Sequence, residues 1–426
     1  MAKADHVTLE IVADWGGQPF RLGELTAYDG VYKDTFSFVF DAMALEHPDL
    51  RGIRLDPDLH SDAGPQFIRS TAKNNFGMFL DSSPDRWGRL IMDRQLERLK
   101  RAGKADPKER LRERHYFLGV HDAYRVGALR VRLAGDGVFL ATEEGISAPP
   151  MVGLRELEEA TRALEQEESS DRVDHWLRML LAPGGSLGGA RPKASVVDVD
   201  GSLWIAKFPS YRDDIDVGAW ELVLQVLARA CGIDAPEARA QAYYSKFRTY
   251  VVKRFDRRPD GRRIHFASAM TLTGRADGDD AAAGASYLEL ARVLATGGAD
   301  PQTDLPQLWR RIVFNICVSN ADDHLRNHGF LLEPGRGWRL APAYDVNPVP
   351  DAHGLRINVS KSDNALDLDL ALSVAGDFRV AHGAAKKVVK DIASTVKQWR
   401  ALAAELKISP AEQQRMGPAF RRADGF

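Results

Sequence analysis

Cysteine is nearly absent from this 426-residue chain: Cys231 and Cys317 are the only two, far apart and both in apolar, helix-like surroundings. That excludes a disulfide framework and predicts two reduced core residues, the usage of a protein kept in a reducing compartment. No apolar run approaches the ~18 residues that a helix needs to cross a bilayer, so no membrane partner is expected. The N-terminal MAKADHVTLE lacks the apolar stretch of a secretion signal. Together these absences predict a soluble, cytoplasmic protein. Charge of one sign is not in excess either. The 60 Asp/Glu and 58 Lys/Arg leave a net charge of −2, which gives no global pull toward nucleic acid or membrane. No repeat or low-complexity tract stands out. What remains is an ordinary globular composition, long enough for about two to three domains with substantial cores.

The most informative stretch is Asn315 to Asp345, NICVSNADDHLRNHGFLLEPGRGWRLAPAYD. Asn327 follows Asp322 by five residues. Asp345 follows two strand-like segments, Gly329–Leu332 and Trp338–Leu340, joined by a Pro-Gly turn. Phosphoryl transfer needs a carboxylate to take the substrate hydroxyl's proton and hard oxygen ligands for Mg²⁺. Protein kinases supply these from a D-x-x-x-x-N loop and from an aspartate beyond a short hairpin. By itself D-x-x-x-x-N is also what a polar turn after a buried helix looks like. The elements upstream decide between the two.

Those elements lie in PGGSLGGARPKASVVDVDGSLWIAKF, 183–208. Glycines 184, 185, 188 and 189 let backbone approach a ligand closely. Ser195–Val199 and Leu203–Phe208 alternate about Asp200-Gly201, a hairpin signal, and Lys207 sits near the end of the second strand. A helix is predicted from Val217 to Cys231, and its Glu221 is either placed to pair with Lys207 or an exposed helix charge. Glycine-rich loop, hairpin, strand lysine and helix glutamate reproduce the order of kinase parts.

Elsewhere, residues 6–40 read as a β-rich meander or barrel. A helix is expected over Pro84–Lys100 with Ser83 as N-cap. Eleven Lys/Arg stand against five Asp/Glu between Arg86 and Arg114. This is either a solvated, ion-paired helix pair or a surface for nucleic acid or an acidic partner. Gly127–Leu140 is strand-like. Leu154, Leu157, Thr161 and Leu164 mark one face of an acidic helix whose six glutamates up to Glu168 read as its solvated side. Further strands are expected at Gln241–Tyr244 and Tyr250–Phe255, and Asp256–Gly261 reads as a hinge. Beyond it the pattern is helical, at Tyr287–Thr296, along Leu308, Ile312, Val313 and Ile316, and along Val388, Ile392, Val396, Trp399 and Leu402, where the aromatic is core packing.

The motifs SLGGARPKA (186–194), WIAKFP (204–209), VVKRFDRR (251–258), NADDHLRNHGF (320–330) and LAPAYDVNP (340–348), in this order, resemble the HipA family. LALSVAG (370–376) and FGMFLDSSPDRWGRLIM (76–92) are weaker matches. The family comprises bacterial serine/threonine kinases acting as toxins of type II toxin–antitoxin modules. The resemblance implies an α+β, two-lobed, protein-kinase-like fold with an extra N-terminal β-containing subdomain (1–148), a kinase N-lobe (149–258) and a mainly α-helical C-lobe (259–426). It implies ATP and Mg²⁺ as cofactors. Asp322 matches the catalytic aspartate, and His324 the histidine of the family's D-G-H. Asn327 and Asp345 match the metal ligands. Lys207 matches the nucleotide lysine and Lys193 the lysine of the glycine-rich loop, which also holds Gly188 and Gly189. Backbone at Lys253 and Phe255 falls where the family holds adenine. Ser186 matches the serine that family members autophosphorylate. Implied partners are a HipB-like helix-turn-helix antitoxin, operator DNA through that antitoxin, and a protein substrate such as an aminoacyl-tRNA synthetase. Three departures stand out: Asp323 where many members have Gly, Ser268-Ala269-Met270 where others carry an acidic pair, and a charged insertion around Ala102–Tyr116.

The sequence also admits two other readings. A catalytically weak co-repressor or scaffold acting with a DNA-binding antitoxin has no physical need for Lys207, Asp322, Asn327 and Asp345 together. A small-molecule kinase of the aminoglycoside type shares D-x-x-x-x-N, but not SLGGARPKA or the N-terminal subdomain.

Overall fold

The computed structural model describes residues 6–140, 149–166, 180, 189 and 191–425. The chain divides into two compact units. One comprises Met1–Tyr211, Arg254–Ala267 and Leu332–Arg336, the other Arg212–Lys253, Ser268–Leu331 and Gly337–Phe426.

The first unit opens with antiparallel strands β1 (His6–Ala13), β2 (Phe20–Tyr28) and β3 (Thr35–Phe40). Short β4 (Gln66–Phe67) and β5 (Leu129–Leu133) complete a five-stranded sheet of order β4-β3-β2-β1-β5. Leu9 and Ile11 point into the core while Glu10 faces Arg132 on β5. A register shift after Ile11 lets Val12 and Ala13 both turn inward, the usual effect of a bulge on strict alternation. β5 is shorter than the strand-like stretch 127–140, because the chain turns at Asp136, whose N–H bonds Leu133 O. Phe38, Phe79 and Phe117 pack ring to ring against this sheet.

The helix expected over Pro84–Lys100 is α1, Arg86–Arg101. Its N-cap is Asp85, not Ser83. The Asp85 side chain accepts from Gly88 N at 2.9 Å, whereas the Ser83 hydroxyl donates backward to Phe79 O at 2.8 Å. Of the basic residues in 86–114, Arg89 forms a two-pronged pair with Glu113, Lys100 pairs with Glu97, and Arg112 and Arg114 lie against Asp29 and Asp34. Ion pairing thus absorbs part of the local charge. Acidic helix α2 (Leu154–Glu165) buries Leu154, Leu157, Thr161 and Leu164 as its periodicity predicts. Glu158, expected on the solvated side, is buried as well.

β6 (Lys193–Val197) and β7 (Leu203–Lys207) form the expected hairpin about Gly201, whose φ of 80° suits the turn. At the proposed hinge, burial alone would push the Asp256 carboxyl up. The Arg254 and Arg257 guanidiniums outweigh burial and hold it well below the usual carboxylate range, and Gly127 N donates to it at 2.9 Å.

The second unit is mainly helical. α3 (Val217–Ala230) starts at Asp216, which caps Ala219 N, and precedes the hairpin of β8 (Ala238–Gln241) and β9 (Thr249–Lys253). α4 (Tyr287–Gly297) carries a Ser286/Glu289 capping box. α5 (Pro301–Val318) buries Leu308, Ile312, Val313 and Ile316. β10 (Gly329–Glu333), whose last two residues belong to the first unit, and β11 (Gly337–Leu340) follow, and α6 (His382–Val396) carries the C-terminal stripe. The stripe centres on Val389, Ile392 and Val396, and Trp399 stacks on Phe420 at 4.3 Å between centroids. Cys231 and Cys317 are free and buried, and burial pushes both thiols up to about 12. Among the described residues no helix is long and apolar enough to cross a membrane.

Candidate active site

α5 ends at Ser319, a left-handed residue at φ 50° whose N–H closes onto Ile316 O. That cap turns the chain sharply into the loop Asn320–His328. Asn320 is fully buried. Its amide nitrogen donates to Asn315 Oδ1 at 3.2 Å, and its Oδ1 accepts from Asn347 N at 3.2 Å.

The adjacent carboxylates separate at once. Asp322 is exposed. Asp323 is buried, and its Oδ2 collects three donors: Tyr287 OH from α4, Asn315 Nδ2 from α5 at 2.8 Å, and His328 Nε2 at 2.8 Å. Burial and the Asp323 carboxylate hold the Tyr287 phenol well above its ordinary range, so it stays protonated and donates. The extra carboxylate in D-D-H therefore anchors the loop from beneath.

Asn327 is buried. Its Nδ2 donates to Asp322 O at 3.0 Å, while its Oδ1 has no hydrogen-bond partner. A buried carbonyl oxygen left unpaired is costly unless something else satisfies it, and a hard cation is such a partner. His324 is half-buried and begins the single turn Leu325–Asn327.

Asp345 is delivered to this loop by its neighbours. Tyr344 OH donates to Arg326 O at 2.7 Å, Asn347 N to Asn320 Oδ1, and Val349 N to Ser319 O at 3.0 Å. Asp345 itself sits at φ 57°, a strained region for a residue with a Cβ, and one often found at functional positions. Asn347 reaches Asp345 Oδ1 at 3.5 Å, and its own Oδ1 is buried without a partner. Asn315, Asp323, Asn327, His328 and Tyr344 line one small cavity. The residues present fit a divalent cation: Asn327 and Asp345 offer oxygens, and Asn327 Oδ1 is already oriented and unclaimed.

Glu221 is buried on α3. Burial first, then the Glu221 and Asp345 carboxylates, raise the Tyr250 phenol well above its usual range. Lys253 donates its backbone N–H to Glu237 O at 2.8 Å, and half-buried Phe255 packs on Phe266. Ser268, one of the departures, caps a short helix through Thr271 N.

In the first unit, Lys193 and Lys207 are both buried and stand opposite each other across the β6–β7 hairpin. Gly189 holds φ 96°. Ser186 and Gly188 lie outside the described residues. Tyr250, Tyr287, Asn315, Asn347 and Asp85 were not singled out from the sequence. For Asn315 a signal existed, an amide in the run Ile312–Val318 that is otherwise apolar.

The glycine-containing segment before a lysine hairpin, the helix glutamate, the D-x-x-x-x-N loop and the aspartate beyond a hairpin define an α+β chain built in kinase order. A family model described as HipA-like C-terminal domain matches residues 185–400, about half of the sequence, and the chain belongs to that family. It is 30% identical over 242 residues to a Sinorhizobium fredii protein named "Putative kinase Y4dM", covering 53% of this chain and 56% of that one. It is 30% identical over 183 residues to a second from the same organism, "Putative kinase Y4mE", covering 38% and 41%. The chain thus spans about half the length of the curated relatives it matches. In fold it is similar to Shewanella oneidensis HipA, solved with HipB and its operator DNA. The TM-score is 0.65 at 17% identity, covering 98% of this chain and 97% of that one. The expected α+β, kinase-like architecture is therefore met at the level of the fold.

Proposed function

We propose that this protein is an ATP- and Mg²⁺-dependent serine/threonine protein kinase, the toxin of a toxin–antitoxin module. One observation carries the reading: a single loop presents an exposed carboxylate, Asp322, beside a buried amide oxygen, Asn327 Oδ1, that no protein group satisfies. A scaffold gains nothing from such a pair, because an unsatisfied buried acceptor costs about 1–3 kcal/mol.

Asp322 orients the substrate hydroxyl and takes its proton as the oxygen attacks. Asn327 and Asp345 hold the metal, which supplies charge neutralisation on the phosphates when bound. Lys207 steadies the nucleotide's charge. Asp323, with Tyr287, Asn315 and His328, fixes the loop so that Asp322 need not reorganise. Ser186 is the autophosphorylated residue. A HipB-like antitoxin and, through it, operator DNA are the partners, by extension from the similar fold of a HipA solved with both. The protein substrate is a translation component such as an aminoacyl-tRNA synthetase, by family resemblance.

The test is intact-mass analysis after incubation with ATP and Mg²⁺. Wild type gains phosphoryl groups. Asp322→Asn keeps its fold and loses transfer by roughly 10²–10⁴, the range for positioned proton transfer. Equal phosphorylation of the two proteins overturns the assignment.

A further inference from the structure

Lys193 and Lys207 are register partners in the β6–β7 hairpin and both are buried. Residues directly opposite in an antiparallel pair share a face with Cβ atoms about 4.5–5.5 Å apart, and like charges there repel. Burial strengthens the repulsion unless a counter-charge is present. Asp85 provides it. Its Oδ2 accepts from Lys193 Nζ at 2.6 Å, and the two side chains are only 3% and 6% exposed.

Asp85 is held from its other side as well. It caps α1 through Gly88 N, at the helix end where a carboxylate is favoured. Lys193 is gripped at both ends. Trp87, in the first turn of α1, donates Nε1–H to the Lys193 carbonyl at 3.0 Å, and the Lys193 ammonium also donates to Gly189 O at 3.2 Å. Gly189 can present that carbonyl because its φ of 96° costs glycine little. A Cβ there would stand 3.7 Å from the ammonium.

We propose that Asp85 and Lys193 form a clamp that fixes the exit of the glycine-rich loop, at Gly189, to the start of α1. Resting on the kinase reading, this makes Lys193 a loop anchor and not a phosphate ligand. Asp85 becomes a positioning residue. By neutralising Lys193, it offsets one of the two like charges that face each other across the hairpin.

The experiment compares Asp85→Asn, Lys193→Met and the double variant in the full chain, with Lys207→Met as reference. KM for ATP and kcat are measured together, with amide hydrogen exchange over residues 189–193. As a clamp, each single change raises KM about tenfold, the affinity equivalent of one lost buried hydrogen bond. The double is then no worse than either single, kcat stays near wild type, and exchange speeds up in all three. Lys207→Met loses far more. The double variant leaves no unpaired buried charge, so it remains informative if a single variant fails to fold. Lys193→Met falling far below Asp85→Asn, with additive losses in the double, makes Lys193 a phosphate ligand and overturns the clamp. A double variant that binds ATP like wild type overturns it too. If wild type transfers no phosphate, the kinase reading fails separately. Exchange at 189–193 still decides the clamp, faster in the variants if it exists and unchanged if it does not.

Discussion

Replacing Asp323 by alanine would strip one acceptor atom from three buried donors: Tyr287 OH, Asn315 Nδ2 and His328 Nε2. Each unsatisfied donor costs about 1–3 kcal/mol. The three share one oxygen, so the losses do not add. Removal of one buried charged partner, about 3–5 kcal/mol, is the better guide. Against a typical stability of about 5–15 kcal/mol, that brings the protein near its threshold. Asp323→Asn keeps an oxygen where the donors converge and gives up only the charge assistance, so it should cost roughly 1–3 kcal/mol. Urea unfolding followed by intrinsic fluorescence reads both, since midpoint shifts at constant slope report stability alone. The same preparations are assayed for phosphoryl transfer. Expected is a stability order of wild type, Asn, Ala, with Asp323→Asn retaining transfer far better than Asp322→Asn. The reasoning is refuted if Asp323→Ala unfolds within about 0.5 kcal/mol of wild type, the range of an ordinary surface change. It is equally refuted if Asp323→Asn loses transfer by 10²–10⁴ at unchanged stability, for then the carboxylates have been assigned in the wrong order.

Three further outcomes are expected. ATP binding should strengthen with Mg²⁺, and Asp345→Ala should remove that gain; calorimetry giving equal metal dependence in the two proteins would dismiss Asp345 as a ligand. Burial pushes the Asp56 carboxyl up to about 6 from 3.8, so the folded state holds this proton more tightly than the unfolded chain. Its contribution is full below pH 4 and lost as pH rises through 6, by about 3 kcal/mol. Asp56→Asn should flatten stability against pH across that window, and an unchanged profile counts against the assignment. Ser186→Ala should abolish the phosphate gained on incubation with ATP while transfer to a separate substrate persists; phosphopeptides mapping only to other sites would remove Ser186 from the mechanism.

The chain's chemistry was legible wherever it is written in short, local patterns. Asp322 and Asn327 lie five residues apart, a spacing that a polar turn also has, and the order of glycine-rich segment, hairpin lysine and helix glutamate upstream is what favoured phosphoryl-transfer chemistry. Helices followed from apolar periodicity, because the 3.6-residue repeat is a local property of the sequence. Local signals misled where a tertiary partner outbid a local preference. Ser83 has the residue type of an N-cap, but Asp85 takes the position while bonding Lys193, 108 residues away. Glu158 reads as a solvated charge and is buried.

What the tertiary structure alone decided is how two like residues differ in burial and partners. Asp322 and Asp323 are identical in type and adjacent in sequence; only the helices carrying Tyr287 and Asn315 bury one and leave the other exposed. Lys193 and Lys207 both belong to the motifs around the glycine-rich segment. Their different surroundings come from strand register and from Asp85 at the start of a distant helix. Burial and pairing are properties of neighbours in space, and no pattern along the chain encodes them.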